Sequence, residues 1–363
     1  MAKRYDDNLF AQDRKGRTGL LIASVVLLIL LGMVFIYNLF YNTRPTLHKQ
    51  SVTINDLPSS LEGFKILHIS DLDGQLFGSM QEQLLSAIGS QSYQAVCVTG
   101  DITDANGNPR ALVRLMSSLK PDIPVLFIAG DEDPQPVVLA EDGVSFTYAP
   151  YIRTLQDAGA VYLDAPYAVT HNGATVWFAP EMLYSLDVEA SRTAALKRVE
   201  ELSAEAYSAT QAFHLASARY TLDRFARLEE AQKTMTASDI YVALTHVPLS
   251  STAMRNLHDS YANGNSIYID GVSLVLAGHY NAGQWRIPAL GALYVPHAFS
   301  LSGTGFFPDE HGLVGLQSMM GVTQYVSPGL GASDDYPFPL NMGRFLNRPA
   351  VTLITLTNKL TNN

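Results

Sequence analysis

Five short apolar runs in this chain each stop at an Asp or a His, and this punctuation restricts the fold more than any other feature of the sequence. Phe64 to Ser70 ends at Asp71, Ala95 to Thr99 at Gly100-Asp101, Val125 to Ala129 at Gly130-Asp131, Ile240 to Thr245 at His246, and Val272 to Ala277 at Gly278-His279. The runs are rich in β-branched residues and short, as buried strands are. Helical stretches follow; the first carries Met80, Leu84, Leu85 and Ile88 on one face. Strands alternating with helices predict an α/β sheet, and ligands of such sheets bind beyond the carboxyl ends of the strands. A single Asp after a strand is an ordinary turn or cap residue. Five endings drawn from Asp and His predict a rim built to hold cations or move protons.

A second feature concerns compartment. No charged residue occurs from Thr18 to Thr43, and Leu20 to Leu39 is almost wholly apolar, long enough to cross a hydrocarbon core of about 30 Å as a helix. The apolar run exceeds that of a signal peptide and leads into Tyr37-Asn38-Leu39-Phe40-Tyr41 rather than a small-residue cleavage site. Lys3, Arg4, Arg14, Lys15 and Arg17 precede the span, and Arg44 and Lys49 follow it. The excess of positive charge before the span predicts a single-pass anchor in the lipid bilayer, with a cytoplasmic N-terminus and the main domain outside. A formal net charge of -10 argues against nucleic acid, whose affinity rests on Lys and Arg neutralising phosphates. One cysteine, Cys97, lies within a strand-like run and excludes an intramolecular disulfide.

The motifs Ser70-Asp71-Leu72-Asp73, Gly100-Asp101-Ile102-Thr103-Asp104, Gly130-Asp131-Glu132-Asp133, Thr245-His246 and Gly278-His279-Tyr280-Asn281 stand in the order of the calcineurin-like metallophosphoesterase motifs D-x-H, G-D-x-x-D, G-N-H-D, H and G-H-x-H. From about Ser51 to Leu356 the chain resembles that family. Its membrane-anchored bacterial branch is similar in the flanks Leu57-Pro58, Arg286-Ile287-Pro288 and Tyr325 to Gly331. The resemblance implies a sandwich of two mixed sheets flanked by helices, and two divalent metal ions serving phosphoester hydrolysis. One ion would take Asp71, Asp73, Asp101 and Asn281; the other would take Asp101, Asp131, His246 and His279. Asp101 would be shared, and Glu132 stands where the family has a catalytic histidine.

Four positions thus depart from the family pattern: Asp73, Asp131, Glu132 and Asn281. Each keeps an oxygen able to ligate a metal or exchange a proton. The first ligand set becomes all-oxygen, suited to Mg²⁺, Mn²⁺ or Ca²⁺, while two imidazoles and two carboxylates suit Mn²⁺, Fe²⁺ or Zn²⁺. Mn²⁺ or Mg²⁺ is the expected cofactor, with Fe or Zn compatible with the histidine-containing set. The expected organisation is a cytoplasmic segment 1–17, an anchor 18–43, a metallophosphoesterase-like domain 51–356 and a polar tail 357–363.

Between Pro180 and Pro248 there is neither Gly nor Pro, and Ala, Leu, Glu, Arg and Lys dominate. This predicts a helical insertion over about 182–237, as one long helix or a hairpin. His68, His171, His214, His258 and His311 fall outside the motifs and are expected to pack or face solvent. The expected activity is hydrolysis of a phosphomonoester or phosphodiester, of lipid or cell-envelope origin given the anchor. The competing class is a catalytically silent protein that holds a metal or phosphorylated ligand in the same pocket.

Overall fold

The computed structural model describes residues 9–203, 208–262, 271–296, 305–319 and 321–358. The predicted terminal segments lie outside them up to residue 8 and from residue 359. Strands β1 (Thr46–Thr53), β2 (Lys65–Ile69), β3 (Ala95–Thr99), β4 (Val125–Ile128) and β5 (Ala160–Tyr162) enter one sheet. Strands β6 (Tyr167–His171), β7 (Ala174–Pro180), β8 (Ile240–Leu244), β9 (Leu274–Ala277), β10 (Gly315–Met319) and β11 (Val322–Val326) form a second, and β12 (Ala350–Thr357) returns to the first. The orders are β1-β12-β2-β3-β4-β5 and β10-β11-β9-β8-β7-β6. Both sheets are mixed: β2, β3, β4 and β5 run parallel with β12 antiparallel to β2, and β7, β8, β9 and β11 run parallel between antiparallel β6 and β10.

The two-residue side-chain period of a strand sorts the core into layers. From β2, Ile66 joins Cys97, Leu126, Phe178, Val242 and Leu276 between the sheets. Its neighbours Leu67 and Ile69 face the opposite way, into a layer with Leu84, Leu112 and Ile152 from helices α2 (Glu82–Ile88), α3 (Arg110–Met116) and α4 (Pro150–Asp157). His68 is a packing histidine: its Nε2 lies 2.9 Å from Thr99 Oγ1, and burial pushes its pKa down to about 3. It therefore stays neutral.

The outer face of the second sheet is covered by helices from the stretch expected to be helical. Two helices occupy it, α5 (Val188–Ser203) and α6 (Ala209–Gln232). Helix α6 begins with a capping box, in which Ser208 Oγ accepts from the Gln211 amide at 3.3 Å and Gln211 Oε1 accepts from the Ser208 amide at 2.8 Å, satisfying two orphan donors. Phe225 and Leu228 of α6 pack on Trp177, Tyr241 and Val275. A polar clamp ties the helix to the first sheet: Asp164, just beyond β5, accepts from Arg227 Nη1 at 2.6 Å and Nη2 at 3.0 Å, and from the Tyr148 and Tyr220 hydroxyls at 2.7 and 2.8 Å. Burial pushes the Asp164 pKa up, but the hydrogen bonds from Arg227 and the two tyrosines outweigh it and hold the carboxyl below its usual range.

The clamp has a pH signature. A carboxylate whose folded pKa is depressed stabilises fully above its unfolded pKa of about 4 and loses that contribution as pH falls through the folded value. Arg227→Ala should cost about 2 kcal/mol at neutral pH, less than the 3–5 of a fully buried pair because the Arg227 side chain is 37% exposed. Urea denaturation at neutral pH should show the full difference from wild type, and titration below pH about 4 should shrink it. A difference independent of pH would remove the ionic clamp from the account.

Ahead of the domain stands α1 (Leu9–Asn42), of which Thr18–Asn42 has a mean hydropathy of 3.0 over its most apolar window and is long and apolar enough to cross a membrane. Its apolar side chains are exposed, but its last turns touch the domain. Asn38 is buried; its Nδ2 donates to the Arg344 carbonyl at 3.0 Å and its Oδ1 accepts from the Leu346 amide at 2.7 Å. Asn42 Nδ2 donates to the same Arg344 carbonyl.

Candidate metal centre

The five predicted endings follow β2, β3, β4, β8 and β9. Sharp backbone reversals there turn side chains back over the sheet edges: Asp71, Asp73, Asp101, His279 and Asn281 have φ of 49°, 46°, 49°, 79° and 49°. Short polar side chains tolerate this left-handed region best, which favours Asp and Asn over bulkier ligands. The accompanying glycines are there for close approach. A Cβ on Gly130 would lie 2.0 Å from Asp101 Oδ1, and one on Gly100 would lie 2.5 Å from His246 Nδ1.

Asp101, Asp131, His246 and His279 each offer one ligand atom, and these atoms all lie within 4.8 Å of one another. His246 Nε2 is 3.0 Å from Asp101 Oδ2 and 2.7 Å from Asp131 Oδ1, and His279 Nδ1 is 3.2 Å from Asp131 Oδ1. The His246 tautomer is determined from behind. Its Nδ1 is 2.8 Å from the Thr99 carbonyl oxygen, which can only accept, so Nδ1 carries the proton and the neutral ring turns the Nε2 lone pair to the cluster. Burial would lower the His246 pKa, but hydrogen bonds with Asp101 and Asp131 hold it well above the ordinary range. The Asp131 carboxyl, 35% exposed, is held far below its usual value against partial desolvation, because both imidazoles face it. Two carboxylates and two imidazoles around one point fit a divalent ion, which would compete with protons for Nε2.

Asp71 and Asn281 are buried beside this cluster and Asp73 is partly buried there, and the three behave differently. Asp71 Oδ1 accepts from the His279 amide at 2.6 Å, and the Oδ2 atoms of Asp71 and Asp73 are buried without a hydrogen-bond partner. Burial raises the pKa of both carboxyls. The Asn281 Oδ1 accepts from Arg344 Nη1 at 2.9 Å, and its Nδ2 is buried and unpartnered. An amide NH₂ donates and does not ligate a cation. The Asn281 oxygen is shared with a guanidinium, which leaves it one further lone pair, so an ion at Asp71, Asp73, Asp101 and Asn281 would sit beside a fixed positive charge.

Glu132 flanks the rim. Its amide donates to Asp101 Oδ1 at 3.0 Å, and its carboxyl accepts from the Ser333 hydroxyl. Although Glu132 is exposed, partial desolvation of its carboxyl at the rim, with Asp101 and Asp335 nearby, pushes its pKa up to about 7 against the Ser333 hydrogen bond. Asp133 holds the loop, accepting from the Ile102, Thr103 and Gly130 amides at 2.9, 2.8 and 3.0 Å. A cavity of about 350 Å³ opens beside His246, lined by Pro180, Glu181, Met182, Tyr220 and Arg224, so the insertion forms one wall. Another, of about 420 Å³, lies at the opposite strand ends around Ile54, Ile240, His258 and Val272, away from the cluster. Arg344 and Ser333 carried no signal in the sequence; the Pro328-Gly329-Leu330-Gly331 turn pointed to this edge without indicating an arginine behind it.

Two facing mixed sheets with a carboxylate–imidazole cluster at their carboxyl edges define a two-sheet α/β sandwich of the metallohydrolase kind. Residues 64–281 match the calcineurin-like phosphoesterase family, and the chain belongs to it. The crystal structure of the phosphopantetheinyl hydrolase from Mycobacterium tuberculosis is similar at 12% identity, covering 84% of this chain and 98% of that one, with a TM-score of 0.37. No curated protein matches it.

Proposed function

We propose that this chain is a membrane-anchored, metal-dependent phosphoesterase acting on a phosphomonoester or phosphodiester of lipid or cell-envelope origin. The observation that carries this reading is the convergence of Asp101, Asp131, His246 and His279, with ligand atoms all within 4.8 Å of one another. A divalent ion there, Mn²⁺ or Mg²⁺ by the oxygen content of the set and Fe²⁺ or Zn²⁺ by its imidazoles, supplies Lewis acidity toward a phosphoryl oxygen. His246 is held for ligation by the Thr99 carbonyl, and Asp101 joins the cluster to the Glu132 loop through the Glu132 amide. The cavity walled by Tyr220 and Arg224 gives the leaving group a place beside His246.

In this reading Glu132 delivers the proton to the leaving oxygen. Its carboxyl is oriented by Ser333 and lies one residue from Asp131. The full-length chain in detergent, assayed with Mn²⁺ on a panel of phosphoesters, tests both parts. Glu132→Gln should slow esters with poor leaving groups by about 10²–10⁴ and p-nitrophenyl esters far less, because an activated leaving group needs little protonation. Equal losses on both would remove the proton-donor role. Absence of metal-dependent turnover on every ester would favour the binding-protein class.

Anchoring is supported by the apolar stretch Thr18–Asn42 and the basic residues before it. Protease added to spheroplasts should digest the domain after Arg44 and spare the N-terminal segment. Protection until lysis would reverse the orientation.

A further inference from the structure

Arg344 is 5% exposed, and every hydrogen bond it donates among the described residues ends on an uncharged oxygen. Nε reaches the Asn347 carbonyl at 3.0 Å, Nη1 reaches Asn281 Oδ1 at 2.9 Å and the Gly331 carbonyl at 3.0 Å, and Nη2 reaches the Pro328 carbonyl at 2.8 Å. A buried guanidinium with no anion near it costs several kcal/mol, so its charge must be balanced without direct contact. Asp71 and Asp73 act on it through space, and both border the turn that holds it. A Cβ on Gly329 would lie 2.3 Å from Asn281 Oδ1 and 3.1 Å from Asp71 Oδ2, and one on Gly331 would lie 2.6 Å from Asp73 Oδ2. The turn whose carbonyls hold the guanidinium is therefore the turn that presses on both carboxylates and on the amide.

The orientation of Asn281 follows from chemistry. A guanidinium only donates, so the amide atom facing it is the oxygen, and the NH₂ is directed elsewhere. Any ion placed on Asp71 and Asp73 would share the amide oxygen with the guanidinium and face a fixed positive charge. The cation whose charge these two carboxylates feel through space, Arg344, comes from a segment beyond the family match at residues 64–281.

We propose that Arg344 is a built-in substitute for one of the two metal ions, so that the centre binds a single divalent ion on Asp101, Asp131, His246 and His279 while the guanidinium neutralises Asp71 and Asp73. This rests on the metal-centre reading above. The Asp71–Asp73 half then acts as a fixed dipole behind the ion rather than as a second ligand set.

The test uses the full-length chain in detergent, stripped of metal and titrated with Mn²⁺, with bound ion counted and electron paramagnetic resonance recorded. One Mn²⁺ per chain is expected, with the six-line spectrum of an isolated ion. Asp73→Asn should keep that count and affinity, whereas His246→Ala should weaken binding by about 100-fold or more. Two ions per chain with an exchange-coupled spectrum, or a second ion that Asp73→Asn removes, would overturn the substitution and leave the metal centre standing. Failure of the wild-type chain to retain Mn²⁺ would overturn the metal-centre reading itself, and this inference with it.

Discussion

Asp101→Ala is expected to lower metal-dependent phosphoester turnover by at least about 10³-fold and to abolish the thermal stabilisation of the full-length chain by Mn²⁺. Asp101 has two tasks at once. Its Oδ2 lies 3.0 Å from His246 Nε2 within the ligand cluster, and its Oδ1 accepts the Glu132 amide at 3.0 Å. Truncation removes a ligand and releases the loop carrying Asp131 and Glu132. Lewis-acid stabilisation is worth several kcal/mol, and each 1.36 kcal/mol is a factor of ten in rate. An ion at about 100 times its dissociation constant stabilises by about 2.7 kcal/mol, which is visible in a melting curve. The scaffold should survive, since Asp101 stands at the carboxyl end of β3 and contributes no apolar side chain to the layers of Ile66 or Leu67. A variant that keeps both its Mn²⁺-dependent melting shift and its turnover would sink the proposed centre.

Arg344→Met is expected to destabilise the chain by about 3–5 kcal/mol, the range for removing one partner of a buried charge arrangement. Two effects add. The carbonyls of Pro328, Gly331 and Asn347 and the Asn281 amide oxygen lose a donor, and the through-space attraction between Arg344 and the Asp71 and Asp73 carboxyls is lost. Met fills much of the space of the Arg stem, so a cavity contributes little. The contact with α1 is unaffected, because Asn38 binds the Arg344 main-chain carbonyl. Denaturant midpoints of the full-length chain in one detergent measure the loss. A change below about 1 kcal/mol would show that the guanidinium is not a structural counter-charge. Arg344→Lys should recover only part, since an ammonium cannot reproduce the planar fork that reaches Pro328, Gly331 and Asn281 together.

Much of the architecture was open to reading because it depends on short-range periodicity. The β-branched runs at 66–69, 95–99, 125–128, 240–244 and 274–277 became strands, since a fully buried strand needs an apolar residue at every position. The stretch from 188 to 237 lacks Gly and Pro and became two helices. The ordered Asp and His endings identified the family for the same reason: a ligand at the carboxyl end of a strand must follow that strand directly in sequence. Asp101 and Asp131 end neighbouring parallel strands of one sheet and His246 and His279 neighbouring parallel strands of the other, so each pair follows from the α/β pattern, while the meeting of the two pairs follows from the facing of the sheets.

What the sequence could not reveal was which polar groups answer one another across the fold. Glu132 and Ser333 are 201 positions apart, while Asn281 and Arg344, like Asp164 and Arg227, are 63 apart. No local rule links such pairs, because long side chains on loops choose partners only after the sheets have packed. Asn281 shows the consequence. Its position after Gly278-His279 marked it as a ligand, but whether its amide offers oxygen or NH₂ to the centre depends on a guanidinium brought in by the last loop of the domain. The sequence by itself determined that acids and imidazoles would line one rim. The tertiary structure decided which of them share a point, because charge balance inside a dry core is a property of three-dimensional neighbours rather than of chain order.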